Sequence, residues 1–236
     1  MNKTMLITRP KHDNLTYYLN VWMGEAKTFA EKQGITVIDL EGENANKIKF
    51  ESYVTKGPNI NFIVFNGHGN EETVTGHNNE DIVHAGVNEK LLANKIIYSI
   101  SCASAKILGL KSVENGAVTY IGYNNDFYLY YEDTETKPLN DDLARLFLQH
   151  AIDLIEYIIK GNSTGTAFEK AKKTLKDSIL ATTTSGYFSQ YIIAALWHDY
   201  TSFIIQGEKM LFSETVDKKR LNFQMLLFGR LFLFIP

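Results

Sequence analysis

Two residues of this chain, His68 and Cys102, carry side chains suited to covalent catalysis, and each directly follows an apolar run typical of a strand. The first run covers residues 61–65 and leads into a Gly-His-Gly turn, and the second covers 95–101 and ends at the cysteine. A thiolate is the reactive form of cysteine, and a nearby imidazole can take its proton. If the runs are neighbouring parallel strands, both side chains lie at the carboxyl edge, where open α/β sheets bind ligands. The pair then predicts a Cys–His nucleophilic dyad.

Less specific interpretations of both residues remain open. A lone cysteine is often a small buried hydrophobe, and a histidine after a strand is often an ordinary loop residue. Gly67 and Gly69 flank the histidine, and glycine allows unusual backbone angles and the close approach of a substrate. The strand-end positions and this glycine bracket together favour catalysis.

The elements that must position the dyad alternate along the chain. Apolar strand-like runs and amphipathic helical patterns of this kind indicate βαβ units. We therefore predict an α/β fold, a three-layer α-β-α sandwich with a mostly parallel sheet of five or six strands. A predicted helix over 103–110 would place Cys102 at its positive end and lower the pKa of the thiol. The other predicted strands cover 5–8, 35–40, 117–122 and 200–206, and the other helices 15–30, 141–160, 166–180 and 185–198.

Composition limits the class of protein. The 236 residues fit one large domain, predicted over 1–212, followed by an apolar tail over 213–236. A net charge of -3 gives no reason to expect a nucleic-acid partner, and the single cysteine excludes an intrachain disulfide. We expect a cytoplasmic protein. The most apolar part of the tail, 221–236, is shorter than a spanning helix and contains Arg230, so a membrane surface, a partner groove and the chain's own core all stay open.

The segment Gly67-His68-Gly69, followed after about thirty residues by Ser101-Cys102-Ala103-Ser104, resembles the caspase-like cysteine peptidases (caspases, gingipains, clostripain, separase and CHAT domains). Within that group the chain looks most like a CHAT domain. The resemblance spans about residues 60–180, with stretches that look like the family's following strand and closing helices. The caspase signature Gln-Ala-Cys-x-Gly is absent, so the resemblance does not extend to the aspartate specificity of caspases.

The resemblance implies a cysteine endopeptidase that works through a thioester, without a cofactor. By this resemblance, Cys102 would be the nucleophile and His68 the acid and base. The backbone N–H groups of Gly69 and Cys102 would form the oxyanion hole. A loop carbonyl often orients the histidine in such enzymes, so no third carboxylate is required. The resemblance also implies a polypeptide substrate, and it leaves open whether the activity is latent and needs an activating protein partner.

Charged residues near predicted strand ends are candidates for substrate binding. Arg9 would favour an acidic side chain at P1, the residue before the cleaved bond, whereas Asp13 or Asp126 would favour Arg or Lys. Relatives of the CHAT and clostripain types take basic P1 residues, which favours the second choice. His77 and His84 lie in a polar loop with several acids, but their spacing fits no compact zinc pattern, so we predict no metal site.

Two other classes of function stay open at this point. The first is an inactive caspase-like module that binds a partner or acts as a scaffold and keeps only the remains of a dyad. The second is an α/β domain that binds a small ligand or nucleotide in the same crevice.

Overall fold

The computed structural model describes residues 3–132, 137–182, 189–209 and Phe212. Within these residues strands and helices alternate along the chain, as the hydrophobic pattern predicts. The elements are β1 (Thr4–Arg9), α1 (Asn14–Lys32), β2 (Thr36–Glu41), α2 (Lys47–Lys56), β3 (Phe62–Asn66), β4 (Thr73–Thr75), β5 (Asp81–His84), β6 (Ile96–Ile100), α3 (Leu108–Glu114), β7 (Thr119–Tyr123), α4 (Asp142–Ile159), α5 (Thr164–Thr182), α6 (Ser189–Ser202) and β8 (Phe203–Gly207).

Six of these strands form one mixed sheet in the order β2-β1-β3-β6-β7-β8. The first five strands run parallel, and β8 pairs antiparallel with β7 at the edge. The short strands β4 and β5 form a separate antiparallel hairpin. The predicted α/β class and mostly parallel sheet are therefore confirmed.

Helices cover the main sheet on both faces. One core packs the sheet against α1, α4 and α5, and the other packs it against α2, α3 and the β4–β5 hairpin. The strands β1, β3, β6 and β7 are buried along their whole length, which explains why their sequences are nearly continuously apolar. A third cluster joins α6 to α4 and α5.

The helix predicted over 103–110 is wrong at its start. Residues 102–107 form turns, and α3 begins only at Leu108. The N–H groups of Ala103 and Ala105 donate to the carbonyls of Asn125 and Tyr123, at 2.8 and 2.9 Å, instead of to a preceding turn of helix. Contacts with the segment at the end of β7 therefore override the local helical pattern.

The predicted division into a domain over 1–212 and a tail over 213–236 stays a prediction, because the tail lies outside the described residues. No helix in the described part of the chain is long and apolar enough to cross a membrane.

Candidate active site

Four parallel strands, β1, β3, β6 and β7, bring their carboxyl ends to one edge of the sheet. Strands β3 and β6 are direct neighbours, and their register pairs Asn66 with Ile100. His68 and Cys102 each follow two residues later. The predicted adjacency of the two strands is therefore confirmed, and both residues leave the sheet at the same level.

The loop after β1 brings Asp13 to His68. The carboxylate oxygen Oδ2 of Asp13 lies 2.7 Å from Nε2 of His68. Asp13 is fixed here because it is the N-cap of α1, where its other oxygen accepts a 2.7 Å hydrogen bond from the Thr16 N–H. Partial burial alone would raise the pKa of Asp13, but the hydrogen bonds from Thr16 and His68 outweigh it and lower that pKa. Asp13 is therefore an ionised partner for an imidazole at neutral pH.

This contact determines which nitrogen of His68 can act on a neighbour. When Nε2 carries the proton, it donates to Asp13 and leaves the lone pair on Nδ1. Nδ1 has no hydrogen-bond partner among the described residues, and the side chain is 37% exposed. The backbone is also held, since the His68 carbonyl accepts hydrogen bonds from both the N–H and the hydroxyl of Thr75. His68 is thus an oriented imidazole with one nitrogen available.

The thiol of Cys102 is half-buried and is not hydrogen-bonded to His68 in this structure. Its sulfur instead lies 3.9 Å from the carbonyl oxygen of Phe127, to which it donates. Burial raises the pKa of the thiol, and the neighbouring carboxyl groups of Asp126 and Asp199 raise it further. The predicted lowering by a helix N-terminus is wrong, because α3 starts six residues later at Leu108. The raised pKa therefore favours the protonated thiol at neutral pH.

The backbone N–H groups of Gly69 and Cys102, predicted as the oxyanion hole, donate to no acceptor within the described residues. Gly69 also lies close to Thr73 in β4 and to Ser101, which directly follows β6. A Cβ atom on this residue would lie 2.7 Å from the carbonyl oxygen of Thr73 and 3.0 Å from Cβ of Ser101. Only glycine fits this contact between the two turns. An oxyanion hole requires two such donors directed at one oxygen position, so the assignment of these N–H groups stays a prediction.

Buried serine hydroxyls support the turn that carries Cys102. Ser99 and Ser101 are 2.7 Å apart through their hydroxyl oxygens, and Ser104 joins both at 3.1 and 2.9 Å. Ala103 has a positive φ of 51°, an unfavourable conformation for a residue with a Cβ atom. Strained backbone of this kind concentrates at functional sites, where the surrounding contacts hold it.

Arg9, a predicted substrate-binding residue, serves a structural purpose in the fold. Its guanidinium forms a two-pronged ion pair with Asp39, at 2.9 and 2.6 Å, and donates to the backbone and side chain of Asn20. The residue is 6% exposed. These contacts occupy the guanidinium and neutralise its charge, so we do not propose Arg9 as a substrate-binding residue.

Two carboxyl groups lie close enough to Cys102 to affect the pKa of its thiol. Asp126, predicted as a substrate-binding residue, is exposed in the loop after β7. Asp199 on α6 was not predicted, and it is fully buried. Its Oδ1 accepts from the N–H of Tyr128 at 2.9 Å, whereas its Oδ2 has no partner within the described residues. Burial raises the pKa of Asp199 to about 8, so this acid is largely protonated at neutral pH.

The fold and the site together define an α/β protein with a histidine, a cysteine and an aspartate at the carboxyl edge of a mostly parallel sheet. The chain matches none of the models of known protein families, and no curated protein is significantly similar to it in sequence.

Proposed function

We propose that the chain is a caspase-like cysteine peptidase that hydrolyses peptide bonds through Cys102 and His68. One observation carries the proposal. The register of β3 and β6 brings both residues to the same level of one strand edge, and Asp13 holds His68 by Nε2 so that Nδ1 remains available. The two unpaired N–H groups of Gly69 and Cys102 add the electrostatic part of such a site.

In the acylation step, Nδ1 of His68 takes the thiol proton while Cys102 Sγ bonds to the carbonyl carbon of the substrate. The resulting oxyanion accepts hydrogen bonds from the N–H groups of Gly69 and Cys102. As the carbon–nitrogen bond breaks, His68 returns the proton to the leaving amine. A thioester on Cys102 remains. Throughout the step, the negative charge of Asp13 stabilises the imidazolium.

Deacylation uses the same groups in the reverse roles. His68 takes a proton from a water molecule, whose oxygen bonds to the thioester carbon. The carbon–sulfur bond then breaks, the new carboxylic acid leaves, and the sulfur of Cys102 regains a proton from His68. The cycle leaves the enzyme unchanged.

Under this proposal, the structure represents a resting form of the enzyme, because the Cys102 thiol contacts Phe127 and not His68. The thiol must turn from the Phe127 carbonyl to the imidazole before the proton can move. Its raised pKa also keeps the thiolate fraction low. A positive charge bound near Asp126 would offset the negative charge that raises this pKa. Binding of a basic substrate therefore both places the peptide and activates the nucleophile.

The preference for a basic P1 residue rests on Asp126. This exposed carboxylate is close enough to Cys102 for its charge to raise the pKa of the thiol. We therefore assign Asp126 to the part of the site that receives the side chain next to the cleaved bond. The backbone of the loop is held by His198, whose Nε2 lies 3.0 Å from the Asp126 carbonyl oxygen.

A panel of fluorogenic peptides tests the proposal. We expect the full chain to cleave peptides with Lys or Arg at P1 faster than peptides with Asp at P1, and Cys102→Ala to abolish cleavage. Asp126→Ala should lower the preference for Lys over an uncharged P1 residue by roughly two- to fivefold, because an exposed ion pair contributes little. Asp177→Ala is the matched control, since this exposed acid lies on α5, and it should leave the preference unchanged. Faster cleavage after Asp, or cleavage by Cys102→Ala, would contradict the proposal.

A non-catalytic binding or scaffold module is the second candidate. The raised pKa of Cys102 and its hydrogen bond to Phe127 favour it, because neither feature prepares a nucleophile. For the small-ligand class, one surface cleft is lined by Ile48, Ser52, Val87 and Leu91, on α2 and after β5. This cleft includes neither His68 nor Cys102, so it does not support a ligand site at the carboxyl edge of the sheet.

A further inference from the structure

A second histidine, His12, lies beside the His68–Asp13 pair. Its Nε2 is 3.5 Å from Oδ2 of Asp13, the same oxygen that lies 2.7 Å from Nε2 of His68. The ligand atoms of the three side chains all lie within 4.8 Å of one another. The ring centroids of His12 and His68 are 5.9 Å apart. Two imidazole nitrogens thus converge on one carboxylate oxygen.

This geometry suits a divalent transition metal. Zinc binds imidazole nitrogen and carboxylate oxygen at about 2.0–2.2 Å, which separates neighbouring ligand atoms of a tetrahedral site by about 3.3 Å. The distances of 2.7 and 3.5 Å to Asp13 bracket that value. Three protein ligands would leave one coordination position open to water or to Asn79, whose Oδ1 lies 3.2 Å from Nε2 of His12.

The ring of His12 lies in a largely buried environment. Its side chain is only 10% exposed, yet its ring nitrogen Nδ1 is buried with no hydrogen-bond partner in the described part of the chain. The neighbouring His77, with its ring centroid 5.3 Å away, also buries an Nδ1 without a partner. Burying a polar nitrogen without a hydrogen bond costs free energy. Neither of these two nitrogens is a ligand in the proposed site, which rests on the convergence of the Nε2 atoms of His12 and His68 on Oδ2 of Asp13.

We propose that His12, Asp13 and His68 form a binding site for a divalent transition metal ion, with Zn²⁺ as the representative ion, and that occupancy switches off the candidate catalytic histidine. These are not the histidines singled out by the sequence pattern. Of the two considered there, His84 is engaged by the Thr73 hydroxyl at 2.8 Å, and His77 lies behind His12.

The switching follows from the two nitrogens of one imidazole. A metal bound at Nε2 of His68 uses the lone pair of that nitrogen, so the hydrogen bond from Nε2 to Asp13 is lost and the single proton of the neutral ring lies on Nδ1 instead. Nδ1 then has no lone pair to accept the thiol proton of Cys102. This inhibitory consequence rests on the proposed peptidase function, whereas the metal site itself does not.

Calorimetric titration of the full chain with ZnCl₂ tests the site directly. We expect one ion per chain, with an affinity that falls at least about tenfold in His12→Gln, since that change removes one of three protein ligands. His84→Gln is the matched control, a histidine on the neighbouring hairpin that should leave the affinity unchanged. Cys102→Ala should also bind zinc as the wild type does. Circular dichroism establishes that each variant is folded.

The outcomes separate the site from the peptidase function. Equal zinc affinity in the wild type and His12→Gln, or no binding at micromolar concentrations, would overturn the proposed site. Loss of binding in Cys102→Ala would also overturn it, because the ion would then be held by the thiol. Zinc binding that depends on His12 in a chain that cleaves no peptide would support the site and count against the peptidase. In an active enzyme, His12→Gln should keep its basal activity and require at least about tenfold more zinc for inhibition.

Discussion

Replacing His68 with alanine should lower kcat/KM for peptide hydrolysis by roughly 100-fold or more, the usual contribution of a positioned acid and base. The variant loses the group that takes the proton from Cys102 and the group that protonates the leaving amine. His68 makes its side-chain hydrogen bond with Asp13 on the surface and is 37% exposed, so the fold should survive the change. Initial rates on the best peptide of the panel, with thermal unfolding as a control, provide the measurement.

Asp13→Asn provides a graded companion to that variant. Asparagine caps a helix about as well as aspartate, so α1 should keep its N-cap while the charge beside His68 disappears. We expect a loss of activity on the order of tenfold, smaller than that of His68→Ala, because the imidazole remains but its cation is less stabilised. A full loss in Asp13→Asn with His68→Ala still active would contradict the assigned roles.

Gly69→Ala should reduce both stability and activity. The new methyl group would meet the Thr73 carbonyl oxygen at 2.7 Å and Cβ of Ser101 at 3.0 Å, and neither neighbour is the flexible end of a side chain. Overpacking of this kind costs about 1–3 kcal/mol of unfolding free energy. The turn must also move, which displaces the Gly69 N–H from the oxyanion position. Loss of one such donor lowers kcat by roughly 100- to 1,000-fold.

Gly24→Ala is the control for this prediction. Its added Cβ would be 3.4 Å from Nη1 of Arg9, an ordinary contact, and alanine favours the middle of α1 by about 1 kcal/mol over glycine. Denaturant unfolding should therefore show stability unchanged or raised in Gly24→Ala and lowered in Gly69→Ala. Wild-type stability and kcat in Gly69→Ala would contradict the tight contact and the donor assignment.

The positions of His68 and Cys102 at the ends of neighbouring strands could be predicted because they depend on elements with a strong sequence signal. The runs before both residues are apolar on both faces, which is typical of central parallel strands. Parallel strands present their carboxyl ends on the same edge, so two chemical groups after two such strands come together with no further information.

The partners of the dyad residues could not be predicted, since they depend on tertiary contacts without a local pattern. Asp13 reads as an ordinary N-cap, and only the pairing of β1 with β3 brings it to His68. The sequence alone suggests that Arg9 is an exposed charge. In the fold it contacts Asp39, because β1 and β2 are parallel neighbours. The helix expected directly after Cys102 does not form there, because N–H groups of this segment donate to carbonyl groups at the end of β7 and in the loop after it.

The chemistry around the dyad had partial signals. His12 stands next to Asp13 in the sequence, but a His-Asp pair after a strand does not match the spacings of compact zinc motifs. Asp199 is the acid at the end of a run of apolar and aromatic residues in α6, a position where a carboxylate is unexpected unless it is buried for a purpose. The contacts of both residues become apparent only in the folded structure.

The central claim is that His68 acts on Cys102, and the labelling rate of Cys102 tests it most directly. A lysyl chloromethyl ketone, which presents a basic side chain and alkylates the thiolate, is followed by intact mass in the wild type and in His68→Ala. Iodoacetamide, which has no basic side chain, reports the reactivity of the thiol without substrate-like binding. We expect the ketone to label the wild type at Cys102 at least about tenfold faster than His68→Ala, because the imidazole takes the thiol proton. Iodoacetamide should react slowly with both at neutral pH and faster as the pH rises, since burial raises the pKa of Cys102. Equal ketone rates in the two chains, or labelling only after unfolding, would contradict the account.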